Sequence, residues 1–228
     1  MDNFEHKNIK RNFLKVAPST DPAKTEEELL AYAKKLNSFA DYIHCDVMNK
    51  NFVCKDTINE SDVRKIYLKT LLPLDVHLMV NEPFKEVKKY VNAGAFIVTV
   101  HFEAFKNKKH FVKCLKLIRK LGALAGVAIN PETDVCEIME YLSYADLVLL
   151  MSVKPGKSGQ VFMESTYVKL KKLKQIKENY GANFEIEVDG GVNPEIARNL
   201  KIYGADIVVS GSYVYLSDDL QMAIDNLR

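Results

Sequence analysis

The sequence predicts a closed (β/α)8 barrel, in which eight parallel strands alternate with helices. Three observations carry this expectation. Short apolar runs alternate with amphipathic stretches along the whole chain, the pattern of repeated β–α units. Ala40-Asp41-Tyr42-Ile43 is echoed by Ala95-Phe96-Ile97-Val98, Ala145-Asp146-Leu147-Val148 and Ala205-Asp206-Ile207-Val208, each leading into an even-numbered strand. The glycine-rich turn that an open doubly wound sheet places after its first strand is missing; Ala17-Pro18-Ser19-Thr20 stands there.

The elements follow in order. Residues 13–17 form the first strand, and 25–39 a helix with Leu29, Leu30, Ala33 and Leu36 at helical spacing. Strand 41–48 and helix 59–71 come next, then strand 74–80. Pro83 suits the first turn of a helix that ends before Gly94. The remaining strands are expected at 96–102, 124–130, 147–153, 184–189 and 207–210, with helices at 108–121, 132–144, 165–179, 194–203 and 218–227. Asn130-Pro131 and Asn193-Pro194 each read as a cap followed by a first-turn proline. No linker divides the 228 residues, so one domain spanning 1–228 is expected, with 1–12 as a polar N-terminal extension.

Composition narrows the function. Lys and Arg number 32 against 30 Asp and Glu, and no basic stripe interleaves with aromatics, so nucleic acid is not an expected partner. Lys171, Lys172, Lys174 and Lys177 read as a solvated helix face. No apolar run approaches a membrane span, and the N-terminus lacks the apolar core of a signal peptide. Four cysteines (Cys45, Cys54, Cys114 and Cys136) form neither a C-x-x-C pair nor a regular framework, which fits a reduced, cytoplasmic setting.

Chemistry concentrates at strand ends, where barrels place their active sites. Period-2 alternation puts His44 and Asp46 on one face of the second strand and sends Cys45 towards the helices. Asp75 and His77 repeat the design in the third strand, with Asp75 deeper and suited to orienting a neighbour. Asp189 ends the seventh. Any one of these is ordinarily a capping or hydrogen-bonding residue. His44, Asp46, His77 and Asp189 together at one rim favour a divalent-metal or catalytic site, and their mixed nitrogen and oxygen donors suit Zn²⁺, Mn²⁺, Fe²⁺ or Co²⁺ better than Ca²⁺. His101, with Glu103 beyond it, either supports a ligand or simply hydrogen-bonds. Gly156-Lys157-Ser158-Gly159, Gly190-Gly191 and Gly211-Ser212 place open backbone in three adjacent loops, where barrels commonly hold phosphate.

These motifs, in this order, resemble the ribulose-phosphate 3-epimerase family. The likeness runs from Val16-Ala17-Pro18-Ser19 to Gly211-Ser212. It takes in the segment 42–48, Asp75-Val76-His77-Leu78-Met79, Val100-His101-Phe102-Glu103-Ala104, the segments 126–131 and 151–162, and Glu187-Val188-Asp189-Gly190-Gly191-Val192. The resemblance implies one divalent metal on His44, Asp46, His77 and Asp189, and Asp46 and Asp189 as the two acid/base residues. It further implies Ser19 as a substrate contact, the glycine loops as the phosphate site, and Met48, Met79 and Met151 as pocket lining. The implied reaction inverts carbon 3 of a phosphorylated 2-ketose, D-ribulose 5-phosphate to D-xylulose 5-phosphate; a homo-oligomer is expected separately.

Two departures lie around the substrate. Asn49-Lys50 replaces the family's usual Asp-Gly, and Gly156-Lys157-Ser158-Gly159 replaces Gly-Phe-Gly-Gly. They leave a hexulose substrate such as allulose 6-phosphate open beside the pentulose. A metal-free phosphosugar-binding barrel is a further alternative. A lysine-dependent decarboxylase or aldolase is disfavoured, since only Lys154 stands near an inward strand end.

Overall fold

The structure, a computed structural model, describes residues 13–157 and 159–228. The expected extension at 1–12 and Ser158 lie outside the described residues. Eight parallel strands are present among them: β1 (Lys15–Pro18), β2 (Ile43–Met48), β3 (Leu74–Met79), β4 (Ala95–His101), β5 (Leu124–Ile129), β6 (Leu147–Met151), β7 (Glu185–Asp189) and β8 (Ile207–Ser210). Their hydrogen-bonded order is β1-β8-β7-β6-β5-β4-β3-β2. The two ends meet through a bridge between Ser19 and His44, and the Asp41 amide donates to the Val16 carbonyl at 3.1 Å.

The helices are α1 (Glu26–Leu36), α2 (Glu60–Lys69), α3 (Pro83–Ala93), α4 (Lys108–Lys120), α5 (Ser165–Tyr180), α6 (Pro194–Tyr203), α7 (Ser212–Tyr215) and α8 (Leu220–Asp225). Local chemistry sets their ends. Thr25, Asn59, Asn107, Asn193 and Asp219 each accept a first-turn amide, and Gly94 and Gly204 close α3 and α6 in the left-handed conformation. In α4, Phe111, Cys114, Leu115 and Ile118 fall at helical spacing and are buried against the sheet. Burying each large apolar side chain contributes ~1.5–3 kcal/mol, and truncating Phe111 to Ala would cost ~3–5 kcal/mol. No helix among the described residues is long and apolar enough to cross a membrane.

One expected helix differs. Residues Val135–Tyr144 form a 3-10 helix capped by Asp134, so Asn130-Pro131 is not its cap. The reason is local competition for the backbone. The Asn130 amide donates to Glu103, and the carbonyls of Asn130, Pro131 and Thr133 all accept from Lys169 Nζ. Short helices that apolar periodicity does not mark follow two strands: the 3-10 turn Phe102–Ala104 after β4, and α7 after β8.

Two apolar layers result. The outward side chains, Cys45 among them, join the helices in one cluster. The barrel interior is smaller and mixed. Ala17, Ile97, Ala128, Leu147, Leu149, Ile207 and Val209 fill part of it, while His44, Asp75, His77, Thr99, His101 and Glu187 are fully buried beside them. Buried charges survive only where they are paired or bound. The polar side of the interior marks the site.

Candidate active site

A cavity of about 250 Å³ opens at the carboxyl ends of the strands. Ser19, Asp46, Met48, Met79, Met151 and Asp189 line it from β1, β2, β3, β6 and β7, and Gly156, Lys157, Gly159, Gly190, Gly191, Gly211 and Ser212 line it from the loops after β6, β7 and β8. His44 and His77 lie beneath its floor, fully buried. Register brings them to Asp46: in the β2–β3 pairing His44 stands opposite Asp75, and Asp46 opposite His77.

The four residues converge. His44, Asp46, His77 and Asp189 each offer a ligand atom within 4.8 Å of the others. Asp46 Oδ1 lies 3.3 Å from His44 Nε2 and 3.3 Å from His77 Nδ1. Those spacings fit a shared cation, since two ligands ~2.1 Å from a tetrahedral ion are about 3.4 Å apart. His44 Nε2 is buried without a hydrogen-bond partner, which is the condition of a ligand atom. The donor set fits a divalent transition metal.

The electrostatics divide the two aspartates. Burial would raise the pKa of Asp46, but His44 and His77 outweigh it and hold the carboxyl well below its ordinary value. Ser19 Oγ donates to its other oxygen, Oδ2, at 2.6 Å. Asp189 goes the other way. Burial and the charge of Asp46 push it up to about 7. The histidines diverge as well. Burial would lower His44, yet Asp75 and Asp46 hold it well above the ordinary imidazole value. Burial takes His77 down to about 4.

Behind these groups the side chains are also connected. Asp75 Oδ2 meets His44 Nδ1 at 2.5 Å, so Nε2 is the nitrogen turned to the cluster. Glu187 sits 3.9 Å from His44 Nδ1 with both oxygens unpartnered, and burial followed by Asp75 raises its pKa well above the usual carboxylate range. His77 Nε2 faces His101 Nε2 at 2.9 Å, and His101 Nδ1 meets Glu103 Oε2 at 3.2 Å. Burial would raise Glu103, but its hydrogen bonds to His101, Thr133 and the Asn130 amide bring it down to about 2.

Opposite the cluster the lining is backbone. Gly190 and Gly191 have φ of 119° and 64°. A Cβ on Gly191 would lie 2.8 Å from the Gln160 carbonyl oxygen and 2.8 Å from the Phe162 amide nitrogen, so only glycine lets these loops meet. Gln160 Nε2 donates to the carbonyls of Lys154 and Lys157, holding the loop after β6 in a closed turn. Such exposed amides without side-chain bulk suit an anion.

Comparison with known proteins gives the lineage. The ribulose-phosphate 3 epimerase family matches residues 15–215. The chain belongs to this family. It is 41% identical over 219 residues to the ribulose-phosphate 3-epimerase of Bacillus subtilis (strain 168), covering 94% of this chain and 98% of that protein. The Aquifex aeolicus (strain VF5) ribulose-phosphate 3-epimerase is 40% identical over 189 residues, covering 83% and 84%. Among solved structures, the KGPDC of Streptococcus mutans superposes with a TM-score of 0.72 at 13% identity, covering 94% of this chain and 95% of that one. A 3-hexulose-6-phosphate synthase superposes at 0.65 and 20% identity, covering 94% and 97%. At those identities the likeness shows the barrel fold alone.

Several residues around this cluster were not singled out by sequence reasoning. Glu187 was readable in principle, since it lies two residues before Asp189 and shares its parity. Phe52, whose ring centroid is 5.1 Å from that of His101, comes from the irregular loop after β2, where no periodicity points. Lys169 acts through carbonyls on a segment far from it in sequence.

Proposed function

We propose that the chain is a metal-dependent epimerase that inverts carbon 3 of a phosphorylated 2-ketose, interconverting D-ribulose 5-phosphate and D-xylulose 5-phosphate. One observation carries the reading: two aspartates from β2 and β7, one held below and one raised above the ordinary carboxylate value, share a cluster with two histidines at the floor of the cavity.

Epimerisation needs a proton removed beside the carbonyl and another returned to the opposite face. His44, Asp46, His77 and Asp189 would hold one divalent cation of the Zn²⁺, Mn²⁺, Fe²⁺ or Co²⁺ class. When bound, it supplies Lewis-acid stabilisation for the negative charge developing on the substrate's carbonyl oxygen. Asp46, held ionised, takes the proton, with Ser19 fixing its second oxygen and contacting the sugar. Asp189, whose pKa is raised to about 7 by burial and the charge of Asp46 before a cation binds, serves as the acid on the other side. In the reverse direction the roles exchange. Strands β2 and β7 are separated by β1 and β8, so the two carboxyls reach the cavity from different strands. Met48, Met79 and Met151 supply a pliable apolar wall. The amides around Gly156, Gly159, Gly190, Gly191 and Gly211, with Ser212, Lys157 and Ser158, take the phosphate.

The same proposal makes residues 1–228 one barrel domain in the cytoplasm, in keeping with four unpaired cysteines. It assembles as a homo-oligomer, for which the exposed Leu68 and Leu71 are available apolar surface. NMR of a panel of phosphorylated ketoses incubated with the protein tests the chemistry, with metal content measured alongside. Interconversion of the two pentulose 5-phosphates is expected. Full activity in metal-free protein, or no epimerisation of any ketose phosphate, would overturn the reading.

A further inference from the structure

We infer that His101 and Glu103 are positioning residues that decide which nitrogen of His77 carries the proton, and so leave Nδ1 free to bind the cation. The inference rests on the metal reading above and deepens it.

Hydrogen-bond directions can be followed inwards from the barrel's outer edge. Lys169 Nζ holds the carbonyls of Asn130, Pro131 and Thr133 at 2.8, 2.7 and 2.6 Å. The segment so fixed points two donors at one oxygen of Glu103: the Asn130 amide at 2.7 Å and the Thr133 hydroxyl at 2.5 Å. A carboxylate can only accept. Its other oxygen, Oε2, therefore takes the proton-bearing Nδ1 of His101 at 3.2 Å. A neutral imidazole has one N–H, so His101 Nε2 presents a lone pair. It faces His77 Nε2 at 2.9 Å, and that contact is a hydrogen bond only if His77 Nε2 carries the proton. His77 Nδ1 is left with a lone pair, 3.3 Å from Asp46 Oδ1. A lone pair and a carboxylate oxygen repel unless positive charge stands between them.

His44 reaches the same state by the opposite nitrogen. Asp75 accepts its Nδ1 proton and leaves Nε2 for the cluster. One ligand is set by a single carboxylate in the neighbouring strand. The other is set by a relay through a second histidine, ending in a carboxylate pinned from three sides.

Glu103→Gln tests the relay because an amide has one acceptor oxygen. That oxygen would stay with the Asn130 amide and the Thr133 hydroxyl, and the NH2 group would turn to His101 Nδ1. The relay would reverse and place the proton on His77 Nδ1. Zn²⁺ affinity, measured by chelator competition, should fall ~10–100-fold. His101→Phe, which keeps a ring beside Phe52 but has no nitrogen, should lose a similar factor. The double variant should lose little more than either alone, because both act through one chain. Independently of any variant, ¹⁵N NMR of the Zn²⁺-loaded protein should find the His77 proton on Nε2. Unchanged Zn²⁺ affinity in both variants, additive losses, or a proton on Nδ1 would overturn the inference. A wild-type protein that binds no Zn²⁺ would instead overturn the metal reading itself.

Discussion

The carboxyl ends of β2 and β7 carry the same residue type in opposite conditions. Asp46 faces His44 and His77 with one oxygen and accepts from the Ser19 hydroxyl with the other. Asp189 shares the cluster, but burial and the negative charge of Asp46 outweigh the opposing effect of His44. Identical side chains less than 5 Å from a common set of ligand atoms are therefore shifted in opposite directions, because their neighbours differ in charge and hydrogen bonding. Two carboxylates made unlike in this way can divide the work of donor and acceptor.

Breaking the β2 end should have the largest effect. Asp46→Asn removes the ion that both histidines face, so metal content should fall and turnover drop by ~10³–10⁴-fold. Asp189→Asn should cost less, ~10²–10³-fold, with more of the metal retained. Elemental analysis beside the NMR assay separates loss of metal from loss of chemistry. If Asp189→Asn keeps its metal and turns over normally, the two-carboxylate mechanism fails.

The difference should also appear as a pH dependence of stability in the metal-free protein. Asp189 is raised from the ordinary 3.8 to about 7, so the native state holds its proton more tightly than the unfolded chain does. Its contribution is full below pH ~4 and is lost as pH rises towards 7. Since the residue is only half-buried, we expect ~1–2 kcal/mol rather than the full linkage value. Urea unfolding of metal-free wild type and Asp189→Asn at pH 5 and pH 8 measures it. The variant should gain relative to wild type at the higher pH, and parallel behaviour would show that Asp189 is not perturbed.

Two smaller effects sharpen the contrast between a floor made of charged side chains and a wall made of backbone. Gly191→Ala places a methyl group 2.8 Å from two backbone atoms, so the loops after β6 and β7 must separate. The KM for ketose phosphate should rise about 10-fold, the worth of roughly one hydrogen bond to a charged group, with metal affinity unchanged. Lys157→Ala should be the mildest. Its side chain is exposed on the loop, where solvent screens a contact with phosphate. The KM should rise no more than ~10-fold at low salt, and less as ionic strength increases. No change at low ionic strength would leave the backbone amides as the whole of the phosphate site.

By itself the sequence determined which side chains point inwards. Parity along a strand needs no knowledge of the neighbours, so His44, Asp46, His77 and Asp189 could be assigned to one interior, and the β–α alternation to a barrel. Helix ends were legible wherever a capping side chain or glycine dominated, as at Asn193 and Gly94. They were not legible at 132–144, where Glu103 and Lys169, remote in sequence, claim the backbone that a helix would have used. The opposed states of Asp46 and Asp189, the unpartnered carboxyl of Glu187 and the relay from Glu103 to His77 were decided only by tertiary structure. Each depends on cross-strand register, which aligns Asp46 with His77 and shifts β3 against β4 after Leu74. Electrostatic and hydrogen-bond energies change steeply over an ångström, and spacing along a single chain cannot fix the distance between two strands.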